Sequence, residues 1–316
     1  MNLFSKKRHA SGVVGLSIND ERVMLAQMLR GSAASGGGPY LQACSQQAVS
    51  SAAQSREVLK ALVDSLGLAG ARCNYALASR DYDVYLIEAP SVEPAEMKSA
   101  VRWRIKDLLD MPVEDAVIDI FPVPKDAFQG RSKMLYAVAA QKSRVESVID
   151  LVNGAGLTLN AIDIPELAML NMSSELLDDQ NGIAFIDLRQ TGSTMNLSRG
   201  GQLYLTRKIN TQLGADVMTA FDWEVQRDRL VLEMQRSLDY YESQMGQNPI
   251  SQIVLAPRPN DAAAIAASLS EVMSVRVSVM DIAEQLAMAE DIAPATLQAC
   301  VVAIGAALRA DKAVDV

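Results

Sequence analysis

Few residues in this chain could do chemistry. Its 316 residues include one histidine, His9, and three cysteines, Cys44, Cys73 and Cys300. One imidazole close to the N-terminus excludes a Ser-His-Asp or Cys-His relay, histidine-ligated zinc and the facial triad for iron. The cysteines are odd in number, far apart and without CxxC spacing, so they read as reduced thiols rather than a disulfide framework or a zinc ribbon. Gly36-Gly37-Gly38 has no Lys-Ser/Thr behind it and marks a flexible loop tip, not a phosphate loop. Arg102-Trp103-Arg104 sets an aromatic between two cations, the composition of an interface anchor. Trp103 falls off the apolar stripe Met97, Val101, Ile105 and Leu108. Two readings follow: an anchor on an exposed second face, or a ring half-buried against a neighbouring strand.

Composition narrows the field further. Apolar residues make up 49% and charged residues 21%, enough to bury a substantial core in about two domains. Asp plus Glu total 38 against 29 Lys plus Arg, for a net charge of −9, which disfavours nucleic acid as a partner. Lys6-Lys7-Arg8 is not followed by an apolar h-region, and the most apolar stretch, near Cys300–Leu308, is well short of the ~20 residues that span a bilayer. The expectation is a cytoplasmic chain with no transmembrane segment of its own and a solvated tail over residues 2–8.

These residues need elements to hold them. Val13–Ile18 and Arg22–Leu29 read as a hairpin turning at Asn19-Asp20, and Tyr40–Val49 as a third strand. Val58, Leu59, Leu62, Val63 and Leu66 have helical spacing, stopped by Gly67; Tyr75–Ala78 is a short strand. A small α+β unit follows: a strand at Tyr82–Glu88, one helix from Pro94 to Leu109, strands at Val117–Phe121 and Met134–Ala139, and a helix through Val145–Val152. Leu157–Ile162 is a strand, and Pro165 opens a helix at its favoured first position. Ile183–Leu188 reads as a buried strand, and Thr194–Ser198 with Gln202–Ile209 as a hairpin across Gly200-Gly201. A long helix from 224 to 245 carries Leu230, Met234, Leu238 and Tyr241 on its core stripe. Its charges Glu224, Arg227, Asp228, Arg229 and Glu233 suit a solvated face with i,i+4 pairs. Ile250–Ala256, Asp261–Met273 and Val275–Val279 read as strand, helix and strand, and Ala295–Leu308 as one buried helix. Strands-then-helix thus occurs twice, which suggests two similar α/β halves, the first with an insertion.

Several segments in this order resemble the PilM-like, actin-fold proteins of type IV pilus assembly, and among them the MSHA-pilus (MshI-type) branch. They are Phe4-Ser5-Lys6-Lys7 with Val14–Ile18, Ala100–Asp115, Ala139–Lys142, Gly156-Leu157 with Ile162–Pro165, and Ala303–Arg309. The resemblance implies an actin-like α/β fold of duplicated RNase H-like subdomains with a small inserted α+β subdomain. Residues 1–81 and 160–180, with the 295–310 helix, would form the first subdomain, 82–159 the inserted one, and 181–294 the second half. It also implies a cytoplasmic adaptor, peripheral to the inner membrane, that grips the N-terminal tail of a single-pass, PilN-like membrane protein and ties it to the assembly ATPase. In the family that tail lies in a groove beside the inserted subdomain, which makes Arg102, Trp103 and Arg104 the groove candidates.

The actin-like fold would also imply a nucleotide cleft, and here the sequence departs from the pattern. At the first phosphate turn, normally Asp-x-Gly, stand Ser17 and Asn19. At the second stands Asp187-Leu188-Arg189, with Thr191, Ser193 and Thr194 after it, so Asp187 survives and Arg189 replaces the glycine. The Gly-Gly adenosine segment is replaced by Pro257-Arg258-Pro259, and proline lacks the N–H that such a loop uses. The cleft residues, Ser17, Asn19, Asp187, Arg189, Ser193, Thr194 and Arg258, then describe a degenerate site with no catalytic role. No cofactor is required, room is left for weak ATP/Mg²⁺ binding, and the alternative is a nucleotide-dependent switch or weak ATPase.

Overall fold

The computed structural model describes residues 12–31, 36–130, 133–189, 192–211, 213–214 and 216–310. The N-terminal tail with His9, and Thr191, lie outside the described residues. In chain order come β1 (Val13–Ile18), β2 (Arg22–Arg30), β3 (Pro39–Ala48), α1 (Ala52–Ser65), β4 (Arg72–Ala76), β5 (Tyr82–Glu88), α2 (Met97–Arg104), β6 (Ala116–Pro122), β7 (Met134–Gln141), α3 (Lys142–Gly154), β8 (Thr158–Asp163) and α4 (Pro165–Leu176). The second part holds β9 (Ile183–Asp187), β10 (Ser193–Arg199), β11 (Gln202–Ile209), α5 (Trp223–Ser243), β12 (Gln252–Leu255), α6 (Ala262–Ser270), β13 (Val277–Val279), α7 (Ile282–Gln285), β14 (Ala287–Met288), α8 (Pro294–Ala299) and α9 (Val301–Ala307).

The chain divides into two compact units. One takes residues up to Ala78 with Val145–Ala168 and Leu286–Arg309; the other takes Ser79–Arg144 with Met169–Gln285. The first is built on a six-stranded sheet in the order β14-β3-β2-β1-β4-β8. β1 pairs antiparallel with β2 and parallel with β4, so it is the buried centre, and its run Val14, Leu16 and Ile18 is shielded from water. α9 packs on β1, β2 and β4. It lies so close that a Cβ on Gly15 would stand 1.9 Å from the Ala303 carbonyl oxygen. Asn74 ties the layers, donating to the Ala306 carbonyl at 2.9 Å and accepting from Asn160 at 2.8 Å. Below them Arg309 Nη1 meets the buried Asp163 carboxylate at 2.7 Å.

The second unit repeats the arrangement. Its five-stranded sheet runs β11-β10-β9-β12-β13, the same order as β3-β2-β1-β4-β8. β9 is buried at all five positions, between antiparallel β10 and parallel β12. α5 buries Leu230, Met234, Leu238 and Tyr241 against this core. The three-stranded sheet β5-β7-β6 belongs to the same unit, with Val101 of α2 and Ile105 just after that helix covering one face. On the other face Phe121 and Tyr136 stack at 5.0 Å and join the core of β9–β13.

Three expectations change. The helix foreseen over 94–109 breaks into a 3₁₀ turn Pro94–Glu96, α2, and a second 3₁₀ turn Lys106–Leu108. The change of pitch at Ile105 throws Leu108 off the stripe, and it is 53% exposed. The closing helix is likewise two, α8 and α9, meeting at Cys300. On α5 the charges do not form i,i+4 pairs among themselves: Arg227 pairs with adjacent Asp228, and Glu233 caps the Asn210 backbone N–H at 2.9 Å.

Candidate functional site

The second unit gathers a polar centre at the end of β9. Asp187 closes that strand opposite Thr194 of β10. Two residues on, Arg189 turns back so that its Nε donates to Asp187 Oδ1 at 2.6 Å. The Asp187 side chain is only 10% exposed, so this is a shielded pair rather than a surface contact. Ser193 Oγ accepts from the Arg189 backbone N–H at 3.0 Å and lies 3.1 Å from the Thr211 carbonyl, to which it donates. The hydroxyl therefore shapes the turn and the loop after β11.

Arg258 enters from the loop after β12. Ala256 N–H donates to the Ile186 carbonyl at 2.7 Å, which holds the start of that loop beside the end of β9. The prolines on either side fix their own φ and offer no N–H. Arg258 is 7% exposed. Its Nη2 donates to the Leu213 and Gly214 carbonyls, while Nε and Nη1 are buried with no hydrogen-bond partner among the described residues. Burial pushes its affinity for the proton below the ordinary arginine value. Arg189 adds repulsion, whereas Asp261 and Asp187 pull the other way. Two guanidiniums and two carboxylates thus act on one another at this point.

Ser17 and Asn19 lie in the other unit. Ser17 is buried in β1, opposite Met24 and beside Ala76. Asn19 Oδ1 accepts from the backbone N–H groups of Glu21 at 3.0 Å and Arg22 at 2.8 Å. It holds its own hairpin turn, as asparagine side chains commonly do.

The Arg102-Trp103-Arg104 triplet splits into three roles. Arg102 Nη2 donates to the carbonyls of Val113 at 2.5 Å and Ala116 at 3.0 Å, fastening the turn that leads into β6. Arg104 stands 3.7 Å from Glu88, both well exposed, a weak surface pair. Trp103 is 62% exposed. Of the two readings, the structure takes the exposed ring. Its face carries the Lys106 ammonium at 5.8 Å, and Leu108 nearby in sequence is also exposed.

One network had no sequence signal. Asp126, on the loop after β6, accepts from Arg199 at 2.5 Å and from the Tyr204 hydroxyl at 2.8 Å. Gln247 Nε2 donates to the Asp126 carbonyl at 3.0 Å, and Phe128 N–H to Met245 O at 2.9 Å. Phe128 and Gln129 take positive φ of 57° and 54°, a conformation that costs side-chain-bearing residues energy and is held here by those contacts. Burial and the bond to Asp126 push the Tyr204 hydroxyl up to about 12. The partners are 73 and 78 residues apart, so nothing local announces them.

No family model matches the chain, and no curated relative matches it. Solved structures do. A PilM–PilN type IV pilus biogenesis complex superposes with a TM-score of 0.70 at 20% identity, over 95% of this chain and 98% of that one. A Bacteroides thetaiotaomicron protein with an actin-like ATPase fold and unknown function gives 0.53 at 12% identity, over 95% and 100%. The fold is actin-like. The cytoplasmic domain of EpsL, an inner-membrane component of the Vibrio cholerae type II secretion system, gives 0.51 at 9% identity over 92% and 93%. Among the described residues no helix is long and apolar enough to cross a membrane.

Proposed function

We propose that this chain is a non-catalytic adaptor of type IV pilus assembly, of the MSHA type. It works at the cytoplasmic face of the inner membrane. There it holds the N-terminal tail of a single-pass, PilN-like protein and links that protein to the assembly ATPase. The observation that carries the reading is the end-to-end likeness to a chain of a PilM–PilN complex at a TM-score of 0.70. Trp103 supports it: a large aromatic held open to solvent on a short helix is an unspent anchor.

In this reading the actin-like fold is a scaffold. Mg²⁺-nucleotide does not fit the residues present. Asp187, the carboxylate that would face the cation, is matched by Arg189 at 2.6 Å. Asn19 is spent on its own turn. Pro257 and Pro259 remove two N–H groups from the third loop. The second reading, a nucleotide-dependent switch, keeps one observation in its favour: Asp187 stands at the end of a central strand with Thr194 opposite.

Co-expression with the membrane partner tests the adaptor reading. The complex should co-purify, and should be lost when the partner's N-terminal tail is deleted. A complex that survives the deletion contradicts tail capture.

A further inference from the structure

We propose that Cys44 and Cys300 form an oxidative modification site, at which hydrogen peroxide joins the two sulfurs into one intrachain disulfide that pins the start of α9 to β3. The inference does not depend on the adaptor reading. It starts from the sheet register. Asn74, Gly15, Ala26 and Cys44 stand in one row across β4, β1, β2 and β3. Residues paired in this way share a face of the sheet. Gly15 and Asn74 show which face it is: a Cβ on Gly15 would meet the Ala303 carbonyl, and Asn74 donates to the Ala306 carbonyl. The row therefore runs beneath α9. Cys44 ends the row, and Cys300 stands where α8 gives way to α9.

Hydrogen bonds hold the two thiols in contact. Cys300 Sγ donates to the Ser45 carbonyl at 3.3 Å, and the Cys44 and Cys300 side chains hydrogen-bond to each other. Gln46 donates to the Ala295 carbonyl at 3.2 Å, which fastens α8 to the same strand. Both thiols are free. Cys300 is fully buried, whereas Cys44 is partly open to solvent and gives a small oxidant its way in. Cys73 is also buried, but it precedes Asn74 on β4 and so points to the opposite face. Of the three possible pairings, contact favours one.

The reaction closes on its own atoms. One sulfur attacks a peroxide oxygen, the O–O bond breaks, and a sulfenic acid and a water form. The other sulfur then displaces the hydroxyl as a second water. Both thiol protons leave in those waters, the sulfurs give up two electrons, and the peroxide takes them. The bond to Cys300 and burial push the Cys44 thiol up, so it is not a standing thiolate. Oxidation is therefore slow at neutral pH and quickens as pH rises.

Overnight exposure of the reduced full chain to millimolar hydrogen peroxide at mildly alkaline pH tests this, read by alkylation after unfolding and by peptide mass spectrometry. The expected product is a single chain with a Cys44–Cys300 cross-linked peptide and Cys73 still a thiol. Its melting temperature should rise by several degrees, because the link closes most of the chain into one loop. Dithiothreitol should reverse the rise, which it would not do for methionine sulfoxide. Cys44→Ser should lose the link and Cys73→Ala keep it. The native chain carries the decisive measurement, so a variant that fails to fold does not close the test. Cys44 and Cys300 left free, oxidation that stops at a Cys44 sulfenic or sulfinic acid, or a disulfide that uses Cys73 or joins two chains overturns the site. A cross-linked chain that melts no higher than the reduced one overturns the pin.

Discussion

Trp103→Ala separates an anchor from a bystander, because its effects on stability and on binding should diverge. The ring is 62% exposed. A large aromatic offers up to about 250 Å², so about 150 Å² is still in water and open to a partner. At ~25 cal/mol per Å² that area gives an upper bound of about 4 kcal/mol on covering it. Ordering of the bound tail takes back part of this, and truncated anchors typically lose ~2 kcal/mol or more, about 30-fold in Kd. Folding should hardly notice, since truncating an exposed side chain stays within about 0.5 kcal/mol. The chain has two tryptophans, and the other, Trp223, is buried. Intrinsic fluorescence therefore reports on Trp103: titration with the partner tail should shift its emission to the blue. In the alanine variant that shift disappears, and anisotropy of a labelled tail gives the weakened Kd. A folded Trp103→Ala protein that binds the tail within about twofold of the native affinity refutes the anchor argument.

Other outcomes follow from the packing. Gly15→Ala should destabilise the protein by about 3 kcal/mol or more in urea unfolding, because the new Cβ would meet two backbone atoms of α9, at 1.9 Å and 2.5 Å. Asp163→Ala leaves the Arg309 guanidinium without its buried partner; since Arg309 is one-third exposed, a loss of about 3 kcal/mol is expected from the melting curve. Tyr204 links stability to alkaline pH. Its hydroxyl is raised from 10 to about 12, so the folded state holds a proton that the unfolded state loses first. The contribution is intact below pH 10 and lost as pH rises toward 12; Tyr204→Phe should flatten that limb of a stability–pH curve.

Much of the architecture is legible because it rests on local signals. The uninterrupted apolar run Ile183–Ile186 marks a strand buried on both faces, and β9 is that strand. Gly200-Gly201 marks the β10–β11 turn, with positive φ at both positions. Leu230, Met234, Leu238 and Tyr241 mark the buried stripe of α5. β14 was not legible. Two residues long, it exists because β3 offers it an open edge, with Ala287 opposite Tyr40. The break at Ile105 was also invisible, since Met97, Val101, Ile105 and Leu108 keep helical spacing whether or not the helix continues.

At the polar centre the sequence supplied the inventory: Asp187, an arginine in place of glycine two positions on, and an arginine between two prolines. That Arg189 folds back on Asp187 while Arg258 is buried behind it depends on loops converging from β9, β11 and β12. The triplet 102–104 makes the same point, since only packing against the turn at Val113 and Ala116 turns one arginine inward and leaves the tryptophan out. By itself the sequence determined the periods of its strands and helices, the turns that join them and the absence of any histidine-based or CxxC-based chemistry. The tertiary structure decided which charges meet and which ring stays in water. Those outcomes depend on distances between segments tens of residues apart, and no local preference encodes such a distance.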